Sequence, residues 1–415
     1  MIIRSISFLF FFCLLLIPSA QSLPDEQSAG HQILEIHNYT LHSLDIDGDQ
    51  IVWSDSSLGA DHKGIFVYNI TTGAQQTVSI KPLNTRITGG SIIKESPSIS
   101  GDLVVWADMN DIHLLNLSGG PEVFVTDAFF SDTFADDKVS SYPVIDGDRI
   151  AWSEQPTSQN GWKRQLVLYN LTTGKRKTIS PTTSDQIYPD ISGNYVVWRD
   201  HRISEEMPAI FLYDIVTGNS TMISEEGRPS TEPEIDDGTA VWDSIDLNGE
   251  FHASIYDIRN GTIQWLDPGT SYEQKSPEVS GNRIVWLQSR PYRLNPGGEQ
   301  DLMFLERSTG TKKRLIAGNP NLIDPQISGN RIIYCENTAD SSSQHTCRVR
   351  LIVLNDTLSV DLLPVQSIHP DALENRSPVV SSTESPRVSV TAVPGFSAFI
   401  TLTAICSLAW AMRKR

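Results

Sequence analysis

The sequence predicts an all-β chain folded as a seven-bladed β-propeller of four-stranded antiparallel blades, and three observations predict it. A ten-residue phrase, Pro-x-Ile-Ser-Gly-Asn-x-Ile-Val-Trp with Val, Asp and Tyr as tolerated swaps, recurs seven times. The copies run 44–53, 97–106, 143–152, 189–198, 233–242, 277–286 and 325–334; the first lacks the proline and the last ends on Tyr334. Their closing aromatics are 53, 46, 46, 44, 44 and 48 residues apart, the period of strand-rich blades rather than of a helical solenoid. A second apolar run with its own glycine turn follows the phrase, as in Ile210-Phe-Leu-Tyr-Asp-Ile-Val-Thr-Gly218.

Each element of a repeat has a local reason. In the copy from Pro189 to Trp198, Ser192-Gly193-Asn194 separates two short apolar runs, and Gly and Asn tolerate the positive φ of a hairpin turn. Proline opens the first strand, where no backbone N–H is needed. The third strand, Ile210 to Tyr213, is rich in β-branched and aromatic residues, and a fourth ends near Ile223. Closure of the ring requires the first and last blades to meet. Residues 32–36 stand where a fourth strand would stand, and 358–363 offer a competing one; the sequence leaves both open.

The propeller is expected over residues 32–364, with other functions at the ends. Residues 1–22 carry Arg4, an apolar run from Phe8 to Ile17 and the small-residue site Ala20-Gln21-Ser22, the pattern of a secretory signal peptide. Residues 365–393 form a Ser/Thr/Pro-rich stalk. Residues 394–415 join Pro394-Gly395-Phe396, a hydrophobic segment and Arg413-Lys-Arg415. As a helix the apolar run of about 17 residues spans roughly 25 Å, and the basic end would stay cytoplasmic. This tail resembles the PGF-type C-terminal sorting signal of archaeal surface proteins. The resemblance implies cleavage by an archaeosortase-type enzyme and a lipid anchor in place of the tail; a plain membrane anchor is the alternative.

Composition fits an exported chain held at a cell surface. A formal charge of −18 argues against nucleic acid or anionic lipid as a partner. Of the four cysteines, Cys13 and Cys406 lie in the end segments, leaving Cys335 and Cys347 to staple the loop between them. That disulfide is worth ~2–3 kcal/mol on the loop-entropy account. Eight sequons are candidates for glycosylation: Asn38, Asn69, Asn116, Asn170, Asn219, Asn260, Asn355 and Asn375. Turn preference competes as the explanation, since Asn69, Asn116, Asn170 and Asn355 occupy the turn entry where Asp214 and Asp257 stand in other blades.

The repeats also discipline the reading of tempting motifs. Asp45-Ile-Asp47-Gly48-Asp49 imitates the start of a calcium loop, yet the same place reads Ser-Gly-Asp or Ser-Gly-Asn in other blades. The acidic residue two after the aromatic (Asp55, Asp108, Glu154, Asp200) reads as a strand-end cap or a bond between blades. The residue after the repeat proline, or its equivalent, is Asp45, Ser98, Val144, Asp190, Glu234, Glu278 and Gln326. Its four carboxylates (Asp45, Asp190, Glu234, Glu278) are expected to meet channel water with no cofactor, a bound Ca2+ being the alternative. No signature of a nucleophilic, zinc-hydrolase or phosphate-loop site occurs, and no catalytic residue is assigned.

The phrase from Tyr188 to Asp200, followed by Ile210 to Gly218, is similar to the repeat of TolB-like, WD-repeat-type propellers abundant in exported proteins of methanogenic archaea. The resemblance spans about 330 residues and implies a non-catalytic binding or scaffolding domain, although a few related propellers are polysaccharide lyases. The matching residues build blades, so no site carries over.

Topology places the variable loops together. First-to-second and third-to-fourth turns share one side of the disc and are short; second-to-third loops and blade connections share the other and are long. Variable loops on a rigid scaffold are where binding resides. Phe129, Phe130, Phe134, Trp162, Arg202, Arg290, Tyr292 and Arg293 lie in those loops, and aromatics with Arg make good anchors. The expectation is a non-catalytic surface protein that binds or scaffolds another surface protein or a glycan. A polysaccharide-cleaving lyase or hydrolase and a structural envelope component are the alternatives.

Overall fold

The computed structural model describes residues 32–34, 41–55, 62–82, 96–108, 111–126, 139–155, 163–268, 270–291, 294, 297–339 and 345–354. The signal segment, stalk, sorting motif and strand 358–363 fall outside them. The described residues form seven four-stranded antiparallel sheets, six of them simple meanders.

Blade 1 is β2 (Leu41–Asp47), β3 (Gln50–Asp55), β4 (His62–Asn69) and β5 (Ala74–Pro82); blade 2 is β6 (Ser98–Ser100), β7 (Leu103–Asp108), β8 (Asp111–Asn116) and β9 (Val123–Phe124). Blade 3 holds β10 (Val139–Asp146), β11 (Arg149–Gln155), β12 (Gln165–Asn170) and β13 (Lys175–Ile179). In blade 4 come β14 (Gln186–Ser192), β15 (Tyr195–Asp200), β16 (Ala209–Asp214) and β17 (Ser220–Met222). Blade 5 comprises β18 (Ser230–Asp236), β19 (Thr239–Ile245), β20 (Phe251–Asp257) and β21 (Thr262–Trp265). Blade 6 runs β22 (Glu273–Ser280), β23 (Arg283–Ser289), β24 (Gln300–Glu306) and β25 (Thr311–Asn319).

Blade 7 decides how the ring closes. Its inner three strands are β26 (Leu322–Ser328), β27 (Arg331–Ala339) and β28 (His345–Val353), and its outer strand is β1 (Gln32–Leu34). Gln32 pairs with Leu351 and Leu34 with Val349, so the start of the propeller completes its last blade. The cysteines sit at the same seam. Cys335 and Cys347 are joined, with Cα atoms 5.6 Å apart. Both are buried against Trp53 and Phe66 of blade 1. The bond lies within the paired strands β27 and β28 rather than across a free loop, because these strands extend through both cysteines.

Burial explains the repeat. Six repeat tryptophans, from Trp53 to Trp286, have no more than 1% of their surface exposed. The apolar side chains gather into seven clusters, each shared by two neighbouring blades. Each blade is therefore a thin sheet with both faces covered, and the core is distributed around the ring. Burying such a side chain is worth roughly 1.5–3 kcal/mol, which none of the blades gains without a neighbour.

The proline has a different place from the one expected. In blades 3–7 it lies inside the first strand, after a residue with positive φ: Tyr142, Tyr188, Glu232, Ser276 and Asp324, at 54°, 53°, 52°, 49° and 47°. The register slips there, for example between Ile187 and Asp190. This is a β-bulge, where a residue without an N–H is tolerated. In blades 4–7 the residue that follows proline lines the central channel.

Candidate functional site

The inner strands surround a channel of about 210 Å³ bordered by Asp45, Ser98, Asp190, Glu234, Glu278 and Gln326. Each residue has one open edge on the channel and protein on its other sides. Asp45 Oδ2 accepts the Ile99 N–H at 2.9 Å, and Oδ1 the Ile46 N–H at 2.7 Å. Asp190 repeats this with Ile235 at 2.7 Å and Ile191 at 2.8 Å. These two carboxylates therefore stitch blade 1 to blade 2 and blade 4 to blade 5. Gln326 Nε2 donates to Glu278 Oε1 at 3.1 Å.

Crowding four carboxyls here changes their protonation. Burial, and then the charges of Glu278 and Asp190, push the Glu234 carboxyl well above its ordinary range. Burial and the charges of Asp190 and Asp45 do the same to Glu278. Burial lifts Asp190 to about 7 against the Ile235 and Ile191 N–H groups, and raises Asp45 against those of Ile99 and Ile46. The Glu234 and Asp190 carboxyls are also hydrogen-bonded to each other, which raises the one and lowers the other. Like charges in one low-dielectric site cannot all ionise together.

One residue pair further along, at the first-to-second turns, a hydrogen-bond belt runs around the whole ring. The residue before each turn accepts an N–H from the next blade's turn. Asp47 takes Gly101 at 2.7 Å, Ser100 takes Gly147 at 3.1 Å, and Asp146 takes Gly193 at 2.6 Å. Ser192 then takes Asp237 at 3.3 Å, Asp236 takes Gly281 at 2.7 Å, and Ser280 takes Gly329 at 2.9 Å. Ser328 closes the circle on Gly48 at 2.9 Å. The apparent calcium-loop start at Asp47 is one link of this belt, and Ser and Asp alternate freely because each supplies one acceptor.

On the long-loop face, Arg202 turns inward. Its guanidinium donates to Asp200 and Ser180, both at 2.7 Å, and lies 4.3 Å over the Phe211 ring. Asp200 also accepts Trp198 Nε1 at 2.7 Å and Gln186 Nε2 at 2.9 Å. Burial opposes its charge, but Arg202, Gln186 and Trp198 outweigh it and hold its carboxyl below the ordinary value. Asp200 thus bonds its own blade rather than its neighbour, since its carboxylate points along the sheet to the tryptophan two residues back. Blade 6 has Gln274, Trp286, Gln288 and Arg290 at the corresponding places. There Trp286 Nε1, Gln288 Oε1 and both polar ends of Gln274 are buried without a partner among the described residues. Arg290 is exposed. Phe129, Phe130, Phe134, Trp162, Tyr292 and Arg293 lie outside the described residues.

Sequence reasoning passed over three features of this face. At the β19–β20 loop, Asp246 and Glu250 of the loop and His252 of β20 bring ligand-type atoms within 4.8 Å of one another. Asp246 Oδ1 caps that loop by accepting the N–H groups of Asn248 and Glu250, at 2.8 and 3.0 Å. His252 stacks on Trp265 with ring centres 4.1 Å apart. Asp243, buried behind this loop, is raised to about 7 by burial against the Ser276 N–H. At the channel mouth, the bulge residues Tyr142 and Tyr188 pair with ring centres 4.6 Å apart, and Arg199 lies 4.8 Å over Tyr188. The Tyr142–Tyr188 pair and the Ser276 N–H are set by one-residue bulges, which periodicity alone does not reveal.

With the geometry in hand, comparison with solved structures is informative about architecture. An oligogalacturonate lyase in complex with manganese is 14% identical, over 79% of this chain and 92% of that one, with a TM-score of 0.51. The oligogalacturonate lyase of Vibrio parahaemolyticus is 11% identical over 78% of this chain and 91% of that one, also at 0.51. A puromycin-hydrolysing peptidase of Mycobacterium tuberculosis is 13% identical at 0.56; it is matched over 79% of this chain but only 52% of its own length. The likeness is one of fold. The chain spans about half of that peptidase and nearly all of the lyases. No protein-family profile and no curated protein matches the sequence. Among the described residues no helix is long and apolar enough to cross a membrane.

Proposed function

We propose that this chain is a non-catalytic binding or scaffolding module, exported and held at a cell surface by its C-terminal tail or a lipid replacing it. Its long-loop face meets the partner, a surface protein or glycan. The observation that carries the reading is where apolar surface is left uncovered. Of seven large hydrophobic residues exposed among the described residues, Ile203, Met207, Leu247, Leu294 and Ile323 belong to the long-loop ends of blades 4–7. Leu247 is 92% exposed and Leu294 69%. Exposed apolar side chains gathered on one side of a soluble scaffold mark an interaction surface, and loops on a rigid ring are where such surfaces arise.

The test is co-sedimentation of the secreted protein with envelopes of its source cell, in calcium and in chelator, beside a Leu247→Asp/Leu294→Asp variant. Retention of the wild type and its loss in the variant is the expected result. Equal retention of both would remove the long-loop face from the reading. No retention of either, with release of sugar fragments from envelope polysaccharide, would favour the polysaccharide-cleaving alternative.

A further inference from the structure

The sequons of the described residues all fall on one side of the disc. Asn69, Asn116, Asn170, Asn219 and Asn260 lie at the turns β4–β5, β8–β9, β12–β13, β16–β17 and β20–β21, the third-to-fourth turn of five consecutive blades. In each meander that turn lies on the side of the first-to-second turn, and the hydrogen-bond belt puts all first-to-second turns at one end of the channel. No Asn-x-Ser/Thr occurs in a second-to-third loop or a connection between blades anywhere from residue 41 to 354. Asn160, Asn248 and Asn295 stand in those loops without the hydroxyl residue two places on.

Side-chain capping accounts for three of the five asparagines and not for the other two. Asn69 and Asn170 cap their turns, Oδ1 accepting the N–H of Thr72 at 2.8 Å and of Thr173 at 2.7 Å. Asn116 does likewise for Ser118 at 2.9 Å. In blades 4 and 5 the capping place belongs to Asp214 and Asp257, which accept the N–H groups of Val216 and Asn260 at 2.8 and 3.0 Å. A sequon nevertheless appears in those turns, displaced to Asn219 and Asn260. Both asparagines are exposed, as are the hydroxyl residues Thr221 and Thr262. Neither carboxamide makes a hydrogen bond among the described residues, whereas Asn170 Nδ2 donates to Asp148 at 2.7 Å.

We propose that the short-turn face is the main glycosylated face of this protein, with asparagine-linked oligosaccharide carried first on Asn219 and Asn260, while the second-to-third loops stay bare. In the transfer the carboxamide Nδ2 bonds to the anomeric carbon of a lipid-carried oligosaccharide phosphate. The sugar–phosphate C–O bond breaks, the phosphate leaves with the electron pair, and one amide proton passes to solvent. Only chains exported past the transferase are modified, so the proposal rests on the export reading above. Its consequence is a polarised disc, with bulky polar sugar on one face and exposed apolar side chains on the other.

The full chain is secreted from an insect-cell host, once under its own first residues and once under a host leader. Occupancy is read by peptide mass spectrometry after glycosidase release in heavy-oxygen water. A Glu250→Thr variant creates an acceptor at exposed Asn248 in the β19–β20 loop and controls for access of the transferase. The expected result is occupancy at Asn219 and Asn260 several-fold above that at Asn170. Bare Asn219 and Asn260 under both leaders, with Asn248 occupied in the control, overturns the proposal. Equal occupancy of Asn170 overturns the ordering that the hydrogen bonds imply. Modification under the host leader alone keeps the face assignment and removes the export reading.

Discussion

Replacing Glu278 by Gln removes one charge from the channel while keeping an acceptor for Gln326. The wild-type channel carboxyls hold protons more tightly in the folded chain than in the unfolded one. For such groups stability is fully present below the unfolded pKa and is lost as pH rises through the folded value. Asp190 alone, moving from 3.8 to about 7, corresponds to roughly 4 kcal/mol at 1.36 kcal/mol per pH unit. That is a ceiling, because the open edge of the channel admits water. The opposite group of carboxyls, Asp200, Asp246 and Glu336, is held low by hydrogen bonds and ion pairs that outweigh burial. Their contribution is present above the unfolded value and is lost as pH falls, so stability peaks on the acid side of neutrality. Glu278→Gln is expected to leave the urea midpoint at about pH 5 nearly unchanged and to stabilise the protein at about pH 8 by on the order of 1–2 kcal/mol. Urea denaturation of both proteins at the two pH values is the assay. A wild type equally stable at both, or a variant weakened equally at both, would refute the account of raised proton affinity in the channel.

Two further outcomes follow from the blade contacts. Gln288→Asp transplants the arrangement of blade 4 into blade 6, giving Trp286 and Gln274 a common acceptor with Arg290 in the position of Arg202. It should raise the urea midpoint by about 1 kcal/mol, and a loss of stability would show that Arg290 does not fold inward to balance the buried charge. Cys335→Ser/Cys347→Ser, at the seam where β1 closes the ring, should cost about 2–3 kcal/mol in thermal or urea unfolding; no measurable loss would mean that β1 pairing and the belt hold the seam without the disulfide.

The two sides of Asp47 show how far the chain could be read directly. Its neighbour Gly48 announces a hairpin through its need for positive φ, observed at 54°, and that local signal is why every first-to-second turn was legible. The other half of its role, accepting Gly101 from the next blade, involves residues 54 positions apart and leaves no local mark beyond a preference for Asp or Ser. Asp45, Ser98, Asp190, Glu234, Glu278 and Gln326 line the channel, but Val144 packs between blades instead; a register shift in its strand interrupts the alternation that the sequence shows. The bonds of Asp45 and Asp190 to Ile99 and Ile235, and the hydrogen bond between Glu234 and Asp190, depend on spacing across the ring. Arg202 shows the limit from the other direction: its position in a long loop was legible, but Phe211 and Asp200 draw its side chain back into the blade.

The sequence by itself therefore determined the number of blades, their strand order, the buried tryptophans and the division into a short-turn face and a long-loop face. All of these follow from periodicity, β propensity and turn chemistry acting within about ten residues. Only the tertiary structure decided that β1 completes blade 7, that proline sits at a bulge, that seven acceptors form one belt, and that burial raises the proton affinity of the channel carboxyls. Those features arise from contacts between blades, where packing and a low local dielectric act on residues distant in the chain.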